Sequence, residues 1–217
     1  MRKVKIIAFM LFALAALIIT SKITFNSYAI ENPDSVSEAS VSMSVLAEKE
    51  FPTDSEEIDI SYYQIPVDDI TFGIQLRRFP NLKKVIMCDT GYTNEMMEGL
   101  MARYPDIEFV WMLHFSNKWK CRTDAKSFST MQQKHYTTTI GNKDAAQFKY
   151  CTQMEFLDIG HNTIYDVSFL QYMPELHVLI VHENYDYKDG GRIRDLSYLK
   201  YCPKITYLEI FYSWNRK

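Results

Sequence analysis

Hydrophobic positions recur in step along residues 154–184. Met154, Leu157, Ile159 and Asn162 return as Leu176, Leu179, Val181 and Asn184, each 22 residues further on. Within each copy the apolar residues fall at places 1, 4 and 6 and the asparagine at place 9. Places 4 and 6 alternate as in a short strand buried on one face, and a buried asparagine can hydrogen-bond backbone groups where successive turns stack. Ile164, Val167, Leu170 and Met173 follow at helix-like spacing. Each copy is therefore expected to be a strand, a corner and a short helical or 3₁₀ return arm, which cannot bury its apolar face without a neighbour.

The ladder extends both ways. Asp144, Phe148 and Cys151 match Asp166, Leu170 and Met173, again by 22, and Ile193, Asp195, Leu196, Leu199, Cys202, Pro203, Ile205, Leu208 and Ile210 continue it at a displacement of 29. The seven extra residues are YDYKDGG, 185–191, expected as a loop inserted at a corner. Upstream, Phe79, Pro80 and Leu82 return as Tyr104, Pro105 and Ile107, a step of 25. Thr93 or Asn94 is placed to cap a helix from about Glu95 to Arg103, which accounts for the longer period.

The pattern L-x-x-L-x-L-x-x-N followed by I-x-D-[VL] resembles the 22-residue units of secreted bacterial leucine-rich-repeat proteins of the internalin type, over about 80–213 and best over 144–213. The resemblance implies an α/β leucine-rich-repeat solenoid, with a parallel sheet on the concave face and short helices or 3₁₀ turns on the convex face. It also implies a part in adhesion or in host and envelope interaction. Two departures stand out. Residues 132–140 match a strand poorly, and the alternation on both sides of Ser116-Asn117 predicts a hairpin, so an insert is placed near 115–145. After Ile210 only FYSWNRK remains, without a capping unit, and an uncapped strand is an open edge suited to self-association.

The amino-terminal segment has a different pattern. Arg2, Lys3 and Lys5 precede an apolar run over 6–19, and Ser27-Tyr28-Ala29 carries small residues where a signal peptidase cuts. The run is short beside the roughly 20 residues of a membrane span. Residues 1–29 are therefore expected as a signal peptide, with an uncleaved membrane tether through 6–19 as the alternative. The expected location is secreted or cell surface. Residues 30–56, rich in Ser, Glu and Pro, are expected as a disordered linker, and 57–217 as the repeat domain with folded structure from near Ile58.

Charge narrows the partners. With 24 basic residues against 27 acidic ones and no basic stripe, nucleic acid is not an expected ligand. The 15 Tyr and 13 Phe exceed what a core of this size needs, so some rings are expected at a binding surface. Outward places 3, 5 and 7 of each strand give Phe109, Trp111 and Leu113; Phe156, Asp158 and Gly160; Val178, Ile180 and His182; and Tyr207, Glu209 and Phe211. Such a face suits a protein or peptide ligand, because aromatic anchors dominate interface energetics. The alternative is that the 115–145 insert covers some of these rings.

Candidate metal chemistry is thin. His161, His182, Asp158 and Glu183 should gather at one rim and are permissible zinc ligands, but their spacing is not diagnostic, and solvated polar residues or ligand contacts are the expectation. Asp186 and Asp189 miss the calcium-loop spacing. Cys151 and Cys202 lie at equivalent places with a whole unit between them, two strand spacings or about 9.6 Å, too far to bridge, while Cys88 and Cys121 are not placed by the pattern. No nucleophile elbow, phosphate loop or metal-protease helix occurs. No enzyme activity and no cofactor are expected. The competing functions are a structural spacer or self-assembly element, or the accessory repeats of a longer enzyme.

Overall fold

The computed structural model describes residues 42–65, 69–116, 119–131, 139–186, 188 and 190–211. The expected signal segment or tether, residues 1–29, lies outside the described residues. Among the described residues no helix is long and apolar enough to cross a membrane.

The first element is an antiparallel hairpin of β1 (Met43–Leu46) and β2 (Lys49–Pro52). Two strands thus lie inside the 30–56 span expected as a disordered linker. The reason is local: Leu46 is fully buried and α1 (Asp69–Leu76) packs on this hairpin, with the Ala47 amide donating to Gln75 Oε1 at 3.3 Å. Met43, Val45, Leu46, Ala47 and Phe51 hold no regular alternation, so the pattern does not announce the hairpin.

Strands β3 (Glu57–Asp59), β4 (Lys84–Ile86) and β5 (Glu108–Val110) form a parallel sheet in that order. Its crossovers contain α1 and α2 (Asn94–Arg103). The expected helix cap is Thr93, whose Oγ1 accepts from the Met96 amide at 3.4 Å, and Met97 and Leu100 supply the buried face. The chain continues into β6 (Met112–His114), turns, and returns as β7 (Lys120–Arg122), with Leu113 opposite Cys121. This is the hairpin that alternation about Ser116-Asn117 predicts.

A second parallel sheet contains β8 (Ser127–Ser129), β9 (Phe156–Asp158), β10 (Val178–Ile180) and β11 (Tyr207–Glu209), in that spatial order. Phe156 pairs with Val178, and Val178 with Tyr207, so the steps of 22 and 29 are the true register. Each return arm contains a 3₁₀ segment: Ala146–Tyr150 behind the four-residue α3 (Asn142–Ala145), then Ser168–Tyr172 and Ser197–Tyr201. The chain length explains the change from α to 3₁₀. A 3₁₀ segment rises about 2.0 Å per residue against 1.5 Å for an α-helix, so a 22-residue unit crosses the sheet with fewer residues.

Phe128, Leu157 and Leu179 face inward, and Phe148, Leu170 and Met173 come down on them from the arms, all at 9% exposure or less. Each such side chain contributes roughly 1.5–3 kcal/mol by leaving water. Phe115, Phe128, Phe148 and Phe169 form a chain of rings with centroids 5.3–5.5 Å apart at the 115–128, 128–148 and 148–169 contacts, running along the stack.

Two expectations change in register. Lys84 pairs with Glu108, a step of 24 where 25 is expected from Phe79 and Tyr104. A one-residue slip exchanges the two faces of a strand. Phe109, Trp111 and Leu113 therefore point into the core, at 5%, 4% and 0% exposure, and Phe109 and Trp111 do not belong to the outward face. The second change concerns the 115–145 insert, which is not one projecting body. It holds the hairpin turn, strand β8 within the sheet, and α3 on an arm. Strand β8 escapes the pattern because Ala125 and Thr130 stand where the next units carry Met154 and Ile159; Thr130 Oγ1 instead accepts from Asn162 Nδ2 at 2.9 Å.

Candidate functional site

The outward face of the second sheet is a grid set by strand register. One row is Ser127, Phe156, Val178 and Tyr207, and the next is Ser129, Asp158, Ile180 and Glu209. Two places further along the strands come Met131, Gly160, His182 and Phe211. Neighbouring strands lie about 4.8 Å apart, so side chains within a row touch. Tyr207 and Phe211 are half exposed, and Phe156, Val178, Ile180 and Glu209 are partly so. Asp158 is buried: it accepts from Ser129 Oγ at 3.2 Å and from the Gly160 amide at 3.2 Å. Of the twelve residues expected to make this face, the nine from the second sheet are brought together: Phe156, Asp158, Gly160, Val178, Ile180, His182, Tyr207, Glu209 and Phe211. Ser127, Ser129 and Met131 join them unforeseen, because β8 carries no leucine at its diagnostic places.

The rim of the grid is built by the corners. Asn162 Oδ1 accepts from the Ile140 amide at 2.9 Å, and one unit on Asn184 Oδ1 accepts from the Ile164 amide at 3.0 Å. Their amide nitrogens donate to Ile159 and Gly160 oxygens, and to Ile159 and Val181 oxygens, respectively. These are the backbone-stacking bonds expected of a place-9 asparagine. The residue before it is left-handed in both units, His161 at φ 56° and Glu183 at φ 52°. Tyr62 and Asp89 adopt the same conformation three residues past β3 and β4. The same corner thus recurs in both sheets, on residues that carry no glycine signal.

At this rim His161 and His182 meet with Nε2 atoms 3.0 Å apart, and the His182 ring stacks on Phe211 with centroids 4.8 Å apart. His161 Nδ1 lies 2.9 Å from Glu183 Oε2. His182 Nδ1 lies 3.2 Å from Glu209 Oε1, yet the two are not aligned for a hydrogen bond, and the alignment decides: that buried nitrogen has no hydrogen-bond partner. Gly160 makes room for the ring, since a Cβ there would sit 3.1 Å from His182 Nε2. The zinc set His161, His182, Asp158 and Glu183 is only partly assembled. Asp158 spends its oxygens on Ser129 and Gly160, and among the described residues no group of three or more His, Cys, Asp or Glu is arranged to hold a metal. Asp189 of the calcium motif lies outside the described residues, and Asp186 Oδ1 accepts from the Lys188 amide at 2.9 Å.

The outward face of the first sheet is closed by its own groups. Ile86, Cys88 and Val110 are buried there with Met112 against them. Asp124 binds Arg122 at 2.9 and 2.7 Å and Lys84 at 3.4 Å. Burial works to raise the Asp124 carboxyl, but hydrogen bonds and charge from Arg122 and Lys84 outweigh it and hold the group below the ordinary carboxylate range. Burial likewise opposes ionisation of Asp89, and His114 and Lys120, at 2.5 and 3.2 Å, again win. Open clefts of about 590 Å³ beside Trp111 and Tyr150, and of about 420 Å³ beside Tyr165 and Arg192, lie off the grid. Comparison with protein-family models and with curated proteins gives no match to this chain.

Proposed function

We propose that this chain is an exported or surface-held leucine-rich-repeat-type solenoid that binds a protein or peptide through the outward face of its second sheet. The observation that carries the reading is the grid itself: Phe156, Val178, Ile180, Tyr207 and Phe211 present apolar side chains to solvent from strands already fixed in register. A platform ordered before encounter loses little conformational freedom on binding, so its rings act as anchors at low entropic cost. Glu209 on the face, and His161 with Glu183 at its rim, add polar groups along the same surface. The net charge of -3 and the carboxylates favour a neutral or basic polypeptide over nucleic acid.

The test is capture by the full tagged chain. A partner held by the wild type should be lost, by about 100-fold in affinity or more, when Ile180→Asp and Tyr207→Ala are combined, since two anchors are removed from the face. Lys149→Ala, on an arm, should leave capture intact. Equal capture by the face variant contradicts the proposal. A second reading, self-assembly through β11, is favoured by Leu208, which is 40% exposed where its equivalents Leu157 and Leu179 are at 0% and 1%. A tagged chain that retrieves an untagged copy of itself, and fails to do so as Leu208→Lys, identifies that reading instead.

A further inference from the structure

Four cysteines are buried and unbridged, and two of them are brought together. Cys121 sits on β7 and Cys151 at the end of the following arm. Both sulfurs touch a single atom, the Arg122 carbonyl oxygen, at 3.3 Å from Cys121 and 3.9 Å from Cys151. The other two are elsewhere. Cys88 lies in the small cluster on the outward face of the first sheet, and the Cys202 thiol is engaged with the Leu170 carbonyl at 3.2 Å. Cys151 takes the arm place that Met173 and Cys202 fill in later units, so its burial alone is ordinary packing. Cys121 has no such counterpart, because the hairpin occurs once among the described elements.

We propose that Cys121 and Cys151 form a disulfide during oxidative folding, tying the β6–β7 hairpin to the arm that leads into β9. The reaction is thiol–disulfide exchange with a small-molecule or protein disulfide. One cysteine, as thiolate, attacks the oxidant and releases its first thiol. The second cysteine then attacks the mixed disulfide and releases the other. Two electrons pass to the oxidant, which leaves as two thiols, and the two cysteine protons are taken up by the departing thiolates. The hydrogen bond with Cys121, followed by burial, pushes the Cys151 thiol far up, so folded Cys151 is a poor nucleophile, and both thiols are buried away from an oxidant. Exchange therefore runs before the core closes over the arm. The bridge suits an exported chain, but it does not depend on export, because a refolding buffer supplies the same oxidant.

The full chain is denatured, reduced, and refolded in a buffer of oxidised and reduced glutathione. It is then alkylated under denaturing conditions, and digested without reduction. The expected result is two alkylated cysteines, Cys88 and Cys202, and a linked peptide pair containing Cys121 and Cys151 that separates on reduction. The Cys88→Ser, Cys202→Ser double variant should give the same linked pair and no alkylated cysteine. Four alkylated cysteines in correctly refolded wild type, or a linked pair joining any other two, overturns the proposal. Neither outcome touches the binding face, whose test reads partner capture.

Discussion

Asn184 shows how much one side chain does in this molecule. Fully buried, it uses its oxygen on the Ile164 amide and its nitrogen on two carbonyls, from Ile159 and Val181, so three backbone groups of two successive units depend on it. Replacing it by Ala strands those groups away from water. Since each unpaired buried group costs about 1–3 kcal/mol and the site relaxes in part, Asn184→Ala should destabilise by about 2–4 kcal/mol in urea unfolding. A loss under 0.5 kcal/mol would show that the asparagine ladder is incidental. This residue was legible in the sequence, because a 22-residue recurrence of an asparagine after two alternating apolar places has few other physical causes. The left-handed corners beside it were not. Tyr62 and Glu183 adopt positive φ with side chains that carry no turn signature, because the corner is imposed by stacking rather than by local preference, whereas Asp89 and His161 are residue types that enter this region more readily.

Elements with their own internal timing were the ones the pattern located. The α2 helix has a cap, a buried stripe and a basic last turn; the β6–β7 hairpin has alternation on both sides of a polar pair; both stand where the chain announces them. The step between β4 and β5 is one residue shorter than the 25 that separates Phe79 from Tyr104, because Tyr104 and Ile107 mark the approach to the strand and not the strand itself. That slip alone put Phe109 and Trp111 on the wrong face. Trp111 instead donates from Nε1 to Asn94 Oδ1 at 2.8 Å and packs edge-on against Tyr150. At this scale the hairpin is held to the first sheet by Asp124 with Arg122 and Lys84. The Asp124 carboxyl is depressed in the folded chain, so its contribution is complete above the ordinary carboxylate range near pH 4 and is lost as pH falls through the lower folded value. Urea midpoints measured from pH 7 down to pH 2 should therefore fall on the acid side. Asp124→Asn should be less stable than the wild type at pH 7, with the gap closing toward pH 2; a gap that stays constant with pH would contradict this role.

Across the whole molecule, one device is reused: a short inward-facing strand, a left-handed corner, and an arm whose length decides whether it is α-helical or 3₁₀. Among the described residues the two parallel sheets follow from it, and the antiparallel β1–β2 and β6–β7 hairpins share their core, which runs from Leu46 to Cys202. The proposed binding grid is a by-product of the same register, since whatever fixes Leu157 and Leu179 inward fixes Phe156, Val178 and Ile180 outward. If the units are stacked modules, the molecule should accept another one. A second copy of residues 154–175 placed after Glu175 brings its own asparagine into the place of Asn184, facing the Ile164 amide, and repeats Phe148's neighbour Phe169 along the arms. The most direct measurement is denaturant unfolding of this duplication beside a chain carrying the same 22 residues in scrambled order. Stacking predicts that the duplication folds and unfolds in a single transition with a steeper denaturant dependence than the wild type, while the scrambled insert destabilises. If both insertions destabilise alike, the 22-residue step is not a modular unit and the account is wrong.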